Sequence, residues 1–450
     1  MSKLITRSLF LIVLFLQPTP LVSRPLIKPH RNLTHKSLKK DLSSTTHTTE
    51  DMIAGLLVLS AYADAQAGVT EFITQQHILE LRRPNNTELG YPTIPLLKTL
   101  QNKWHYVRFT DDTHMSLYLL HALFQSTNQS IPDILNIITH NFINWIHSDQ
   151  KDRAPGQACI ANCTTLQNLQ KSNILDMSLW SRGLLSSLDI TESDQGLRKQ
   201  IFNKEGGSGA VMRTAPISIF FQHDPIRAEQ LSVAQGILTH TDSGSRAACA
   251  GFNAAIQAII QQETIDHIFQ AAINAAQKYD DRPYSQPYNP QKYAYGSTHF
   301  SQNGCAALCK KAYEYYQQGL LNKPYEQVLD ELRGWGATEA LAATLYIFAT
   351  WNNNPYLALS IAINRTPGDS DTIAKMIAEL LGLQYGLSNI IQNFNQHGLN
   401  LEQEIPYLEN IDNLAEYPTH FPEFHKRHIK SFQELAKELT KQLSESKALY

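Results

Sequence analysis

Two short stretches carry more acid than a helix start needs. Thr110-Asp111-Asp112-Thr113 and Asp369-Ser370-Asp371-Thr372 each place two carboxylates and their hydroxyl neighbours directly before an apolar segment with helical spacing. In the first, Met115, Leu119, Ala122 and Leu123 follow, so Thr110 reads as the N-cap and both aspartates fall in the first turn. In the second, Ile373, Met376, Ile377, Leu380 and Leu381 trace one face of a buried helix. A single aspartate at such a position gains about 0.3–1 kcal/mol from the helix dipole, which is reason enough for its presence. Capping uses one oxygen acceptor, however, and adjacent carboxylates repel one another unless cations neutralise them. Hard ions such as Mg2+ or Mn2+ take oxygen ligands from carboxylates, hydroxyls and water. Spacing alone leaves capping and a two-metal site both open, because it does not say whether the two helix starts meet.

Other candidates are weaker when taken singly. Gly206, Gly207 and Gly209 would let backbone amides approach an anion, and Ser208 adds a hydroxyl, a layout suited to a pyrophosphate. A plain turn ahead of Met212 and Arg213 fits the same residues. His240 alone reads as a helix-end or core histidine, and Glu71 as a solvated residue after a helix. The five cysteines fall as Cys159 and Cys163, Cys249, and Cys305 and Cys309. In an exported chain each pair could close locally or with the other pair, leaving Cys249 as a buried thiol. A zinc site from the two C-x3-C pairs lacks supporting histidine spacing. Nucleophilic hydrolysis by Ser or Cys lacks a G-x-S-x-G elbow and a convincing Cys/His setting.

The elements that must position these residues are helical. Leu341, Leu345 and Phe348 repeat the helical period, alternating strand patterns are scarce, and no solenoid repeat is present. Hydrophobic residues make up 42% and charged residues 18% of 450, a soluble globular balance for one main domain, residues 49–400. The formal net charge of −3, with Lys and Arg scattered, argues against nucleic acid as partner. Lys3 and Arg7 ahead of the apolar run Leu9 to Leu16, then Pro18, Pro20 and Ser23, make residues 1–23 a signal peptide pattern. Eight apolar residues fall short of the roughly 20 that span a bilayer, so stable membrane insertion is not expected and a secreted or periplasmic location is. Residues 24–48 read as a flexible leader, Tyr279 to Tyr295 as a Tyr/Pro-rich rim loop, and 401–450 as a helical extension. In that extension Phe432, Leu435 and Leu439 share one face suited to packing.

The order of the motifs resembles the ADP-ribosylglycohydrolase family, which includes the dinitrogenase-reductase-activating glycohydrolases and the ADP-ribosyl-acceptor hydrolases. The resemblance spans roughly residues 50–390. It rests on Ala63-Asp64-Ala65-Gln66-Ala67-Gly68 followed by Glu71, on Thr110 to Thr113, and on Gly206 through Met212-Arg213-Thr214-Ala215-Pro216. Thr239-His240 and Gly368 to Thr372 complete it. The resemblance implies an all-α, compact orthogonal multi-helix domain with a binuclear metal cleft. It implies Thr110, Asp111, Asp112, Asp369, Asp371 and Thr372 as ligands of two Mg2+ or Mn2+ ions, with Asp371 bridging. Glu71 would orient or deprotonate a water or ribose hydroxyl, acting catalytically with Asp112 and Asp371. Gly156, Gly207, Ser208, Gly209, Met212 and His240 would line the substrate cleft, the glycine loop at the diphosphate. The reaction so implied is hydrolysis at the anomeric carbon of the distal ribose of ADP-ribosylated protein, by a monomer. An ADP-ribose-containing small molecule as substrate, or a relative that binds without hydrolysis, remains open beside it. Departures from the family pattern are Ala63 for the usual Gly, His114 for the usual Gln, and a displaced Gly68; they touch packing more than ligation.

Overall fold

Among the described residues every regular element is a helix. The computed structural model describes residues 47–71, 94–103, 107–126, 129–149, 153–173, 206–284, 303–320, 322–364, 368–412 and 421–447. The chain begins with α1 (Thr49–Ala67), α2 (Leu97–Lys103), α3 (Asp111–Gln125), α4 (Ile131–Trp145) and α5 (Gln157–Lys171). A 3-10 helix (Ser208–Arg213) then leads into α6 (Ala215–Phe220), α7 (Pro225–Ile237), α8 (Ser243–Ile260) and α9 (Ile265–Gln277). After these come α10 (Cys305–Gln318), α11 (Tyr325–Leu332), α12 (Ala337–Trp351), α13 (Pro355–Ile363) and α14 (Ser370–Gln396). The described chain ends with α15 (Leu401–Ile411), α16 (Pro422–Lys426) and α17 (Phe432–Lys447). Strand-like pairing is confined there to one isolated antiparallel bridge, Gly207 with Gly336.

Helix α1 is buried on all sides from Ile53 to Ala67, and α14 is buried without a break from Ser370 to Leu383. Helices apolar all round belong at the centre of a bundle, and these two form its axis. They run antiparallel: Asp51 accepts hydrogen bonds from Ser388, Gly55 lies on Gly382, and the Ser370 hydroxyl donates to the Ala67 carbonyl at 3.3 Å. At the crossing the backbones touch. A Cβ on Gly382 would stand 2.2 Å from the carbonyl carbon of Gly55, and one on Gly55 would stand 2.6 Å from the Gly382 oxygen. Twelve residues, about 18 Å at 1.5 Å per residue, separate Gly55 from Ala67 and Gly382 from Ser370. The C-terminal end of α1 and the N-terminal end of α14 therefore emerge level with each other. Beyond the crossing, Gly386 takes φ +69° and breaks α14, and the Asp51 carboxylate caps the resumed helix at Ser388.

Around this axis α12 packs on α14, α10 and α8, while α13 packs on α14. Helix α17 covers α1 with Phe432, Leu435, Ala436, Leu439 and Leu443, all buried, so the C-terminal segment shares the core of the domain. None of the described helices is long and apolar enough to cross a membrane. All five cysteines are free and buried, so neither of the disulfide pairings open to the sequence forms. Cys305 and Cys309 share one face of α10, where their thiols are hydrogen-bonded to each other as free cysteines. Residues 1–46, which hold the signal pattern and most of the leader, and residues 285–295 of the Tyr-rich loop lie outside the described residues.

The crossing makes a direct prediction. Gly382→Ala is expected to lower the unfolding free energy by about 1–3 kcal/mol or more, as overpacking does, and Gly382→Val by more. Denaturant unfolding measures this, and midpoints equal to that of the unsubstituted chain would contradict the backbone contact.

Candidate active site

The site lies where α1 ends and α3 and α14 begin. Asp64, fully buried near the end of α1, holds the start of α3. One of its carboxylate oxygens accepts from the Thr110 amide at 3.0 Å and hydroxyl at 2.7 Å, and the other accepts from the Thr113 amide at 3.0 Å. Thr110 is the N-cap of α3, its hydroxyl accepting from the Asp112 amide at 3.3 Å. Gly68 allows this approach, since a Cβ there would stand 2.6 Å from the Thr110 methyl. The displaced glycine of the first motif thus has a packing role against the first acidic cluster.

At the start of α14 Asp369 is the N-cap, accepting from the Thr372 amide at 3.4 Å, and that amide also reaches Asp371 at 3.0 Å. The two helix starts meet: the Thr372 hydroxyl donates to Asp112 at 2.8 Å. Glu71, in the turn after α1, brings a third chain segment, and carboxylate oxygens of Glu71, Asp369 and Asp371 all lie within 4.8 Å of one another. Asp111 accepts a 3.3 Å hydrogen bond from the Gly156 amide at the start of α5. Both acidic clusters and Glu71 are therefore gathered in one place, with Gly156 at its edge.

Burial sets the electrostatics of this cluster. It pushes the carboxyls of Glu71, Asp112 and Asp371 well above the ordinary range, and the charges of neighbouring carboxylates raise them further. Asp111 is raised to about 8, again by burial first, against the opposing hydrogen bond from Gly156. Glu71 Oε2 is buried without any hydrogen-bond partner. An orphaned carboxylate oxygen among converging acids is a donor set suited to hard divalent cations, which would neutralise the charge and fill the missing coordination. Among the described residues this acidic group is the one set of three or more His, Cys, Asp and Glu side chains close enough to hold a metal.

The glycine-rich turn is a rigid wall of the same site. The Ser208 hydroxyl donates to Asp369, Gly207 pairs with Gly336, and the Ala337 amide donates to the Gly206 carbonyl at 3.0 Å. A Cβ at Gly209 would stand 2.7 Å from the Cys159 sulfur and 2.8 Å from Cε1 of His240, so glycine is required by close approach. His240 is buried, with Nδ1 2.9 Å from the Thr239 hydroxyl. Its pKa falls to about 3 through burial and the nearby Arg213 cation, so the ring is neutral at physiological pH. Met212 is buried in the core, and its carbonyl accepts from Lys375 at 2.6 Å.

Several residues that shape the site carried no assignment in the sequence. Besides Asp64, these include Arg213, which donates to the Gly209 carbonyl at 2.7 Å and the Thr239 hydroxyl at 2.6 Å, fixing the turn against α7. Glu339 accepts from the amides of Gly334, Trp335 and Gly336 at 3.0 to 3.3 Å. The loop it shapes binds the Asp369 amide through the Gly334 carbonyl at 3.1 Å. Lys375 pairs with Glu379 one turn into α14, both buried. Asp64, Lys375 and Glu379 were findable as charged residues interrupting apolar helical runs; Arg213 and Glu339 show only once distant segments are adjacent.

The raised carboxyls fix a pH dependence for the metal-free chain. Their folded pKa values lie above the unfolded value of about 4, so between that value and the folded one the folded state binds more protons. Stability then falls as pH rises through the window, whose upper end for Asp111 is about 8. In chelator the melting temperature is expected to drop between pH 5.5 and pH 8, and Mn2+ to restore it most at the upper end. Melting curves at several pH values test this, and indifference to both pH and Mn2+ would refute the electrostatic account.

No curated protein matches the sequence. A solved structure described as an ADP-ribosylglycohydrolase-related protein complex is 15% identical, over 80% of this chain and 95% of that one, with a TM-score of 0.46. The sequence model for ADP-ribosylglycohydrolase matches residues 45–421, a span that contains Glu71, both acidic clusters and the glycine turn. The chain belongs to the ADP-ribosylglycohydrolase family.

Proposed function

We propose that this chain hydrolyses the glycosidic bond at the anomeric carbon of the distal ribose in ADP-ribosylated protein, using two Mg2+ or Mn2+ ions at the acidic site. Family membership gives the reaction class, ADP-ribosyl glycoside hydrolysis. The observation that carries the metal reading is the convergence of Glu71, Asp369 and Asp371 within 4.8 Å, together with the unpartnered Glu71 oxygen. Thr110, Asp111 and Asp112 would hold the ions from α3, and Asp369, Asp371 and Thr372 from α14. When bound, the ions supply positive charge that holds ribose hydroxyls and favours ionised carboxyls.

The remaining work falls to the chain's own groups. Glycosidic cleavage develops positive charge at the anomeric carbon, and a cluster of carboxylates fixed by two helix starts stabilises it without reorganising. Glu71 would carry the proton transfer: its free oxygen can accept a proton from a water that adds to the anomeric carbon, and the departing acceptor takes up a proton as the glycosidic bond breaks. The Gly207–Gly209 turn offers backbone amides for the diphosphate, held rigid by Ser208, Arg213 and the neutral wall of His240. Binding the ADP half there positions the ribose over the carboxylates.

Asp371→Ala and Asp112→Asn are expected to lower turnover by about 100-fold or more, as removal of a transition-state electrostatic group does. Excess chelator is expected to abolish activity. A panel of substrates ADP-ribosylated on arginine, serine or an ester, assayed with Mg2+, Mn2+ or chelator, decides the acceptor. Full activity in chelator would overturn the metal role, release from the free ester alone would replace protein by a small molecule as substrate, and binding without release would mark a non-hydrolytic relative. The same proposal places the chain outside the cytoplasm on the strength of residues 1–23; recovery of the protein from the periplasm or medium with a mature N-terminus near residue 24 tests that location.

A further inference from the structure

We propose that Asp412, carried by the C-terminal segment, is a positioning residue of the metal site that acts by clamping the peptide just before the first acidic cluster. Asp412 follows α15 and its carboxylate is fully buried. Oδ1 accepts from Arg153 Nη1 at 2.9 Å and from Arg108 Nε at 3.2 Å, while Oδ2 accepts from the Phe109 amide at 3.3 Å. Arg153 Nη1 also donates to the Phe109 carbonyl at 2.8 Å, and its guanidinium lies 4.5 Å over the Phe109 ring. Both polar atoms of the Phe109 backbone are thus tied to one buried ion pair, and Thr110-Asp111-Asp112 follow directly.

The grip continues from the main chain of Arg153. Its carbonyl accepts from the Asp111 amide at 2.9 Å, and three residues on, the Gly156 amide donates to the Asp111 carboxylate. The 153–156 segment therefore holds Asp111 from two sides, and Asp412 is the buried anion that holds the Arg153 guanidinium. A second acceptor, Asp149, takes the outer nitrogens of Arg108 and Arg153 at 3.2 Å each, but its side chain is 42% exposed. Without Asp412 the guanidinium of Arg153 loses its buried counter-charge and Asp149 becomes the stronger pull, drawing Arg153 outward together with the Phe109 carbonyl and the 153–156 wall. Groups that orient metal ligands from outside the coordination sphere typically change metal affinity 10–100-fold when removed.

The inference rests on the divalent-metal reading of the site, and the test separates the two. Mn2+ binding is measured by calorimetry on the full chain, the isosteric Asp412→Asn, Asp412→Ala, and Asp51→Asn as a control at the far end of α1. Asp412→Asn keeps the volume but turns an amide toward the Phe109 N–H, so it breaks the clamp while favouring a folded product. The Mn2+ dissociation constant is expected to rise about 10-fold in Asp412→Asn and further in Asp412→Ala, and to stay unchanged in Asp51→Asn even where its melting temperature drops. Unaltered affinity in Asp412→Asn would overturn the inference and leave the metal site standing. An equal loss in Asp51→Asn would overturn it by showing general destabilisation. Absence of Mn2+ binding by the unsubstituted chain would remove the metal reading and this inference with it.

Discussion

The backbone contact between Gly55 and Gly382 is the constraint from which the site follows. Two helices that touch without intervening side chains have their separation fixed by main-chain atoms. Because the crossing lies equally far from Ala67 and Ser370, the end of α1 and the start of α14 open at the same level. Glu71 then sits beside Asp369 and Asp371, and Asp64 reaches across to α3. Any side chain at the crossing would separate the helices and move the carboxylates apart.

The buried carboxylates described around the site differ in how fully their oxygens are met. Asp64, Glu339 and Asp412 each accept backbone amides, and they act as fasteners between segments far apart in sequence. Glu71 Oε2 meets no donor, and burial with neighbouring acids raises Glu71, Asp112 and Asp371 strongly. Desolvated like charges are destabilising, so the gathered acids depend on the fasteners to hold them in place. Stability and chemistry thus pull in opposite directions within a few residues. The fasteners supply the preorganisation that the proposed action on a developing positive charge would need.

The floor of the site shows the same division. Lys375, whose charge opposes that of Asp112, is buried against Glu379 and the Met212 carbonyl. It links α14 to the underside of the glycine turn, while Ser208 links the upper side of that turn to Asp369. Arg213 completes the support from α7 and the Thr239-His240 corner. The glycine turn is thereby coupled mechanically to the helix that bears the carboxylates.

Local chemistry decided what the sequence could disclose. The helical period, Thr110 as an N-cap, and aspartates in the first turns of two buried helices all depend on neighbours within a few residues, and each is found as the spacing predicts. The ordered motifs disclosed the family for the same reason: they are short and contiguous. Convergence was a different matter. That Thr372 bonds Asp112, that Glu71 joins Asp369 and Asp371, and that Asp412 grips Phe109 depend on packing between helices hundreds of residues apart. Cysteine spacing could not decide disulfide formation, because the geometry between the two sulfurs, not sequence separation, governs it. The sequence determined which acidic residues stand at the starts of two buried helices; the glycine crossing of α1 and α14, a contact of backbones that no side-chain pattern announces, determined that they meet.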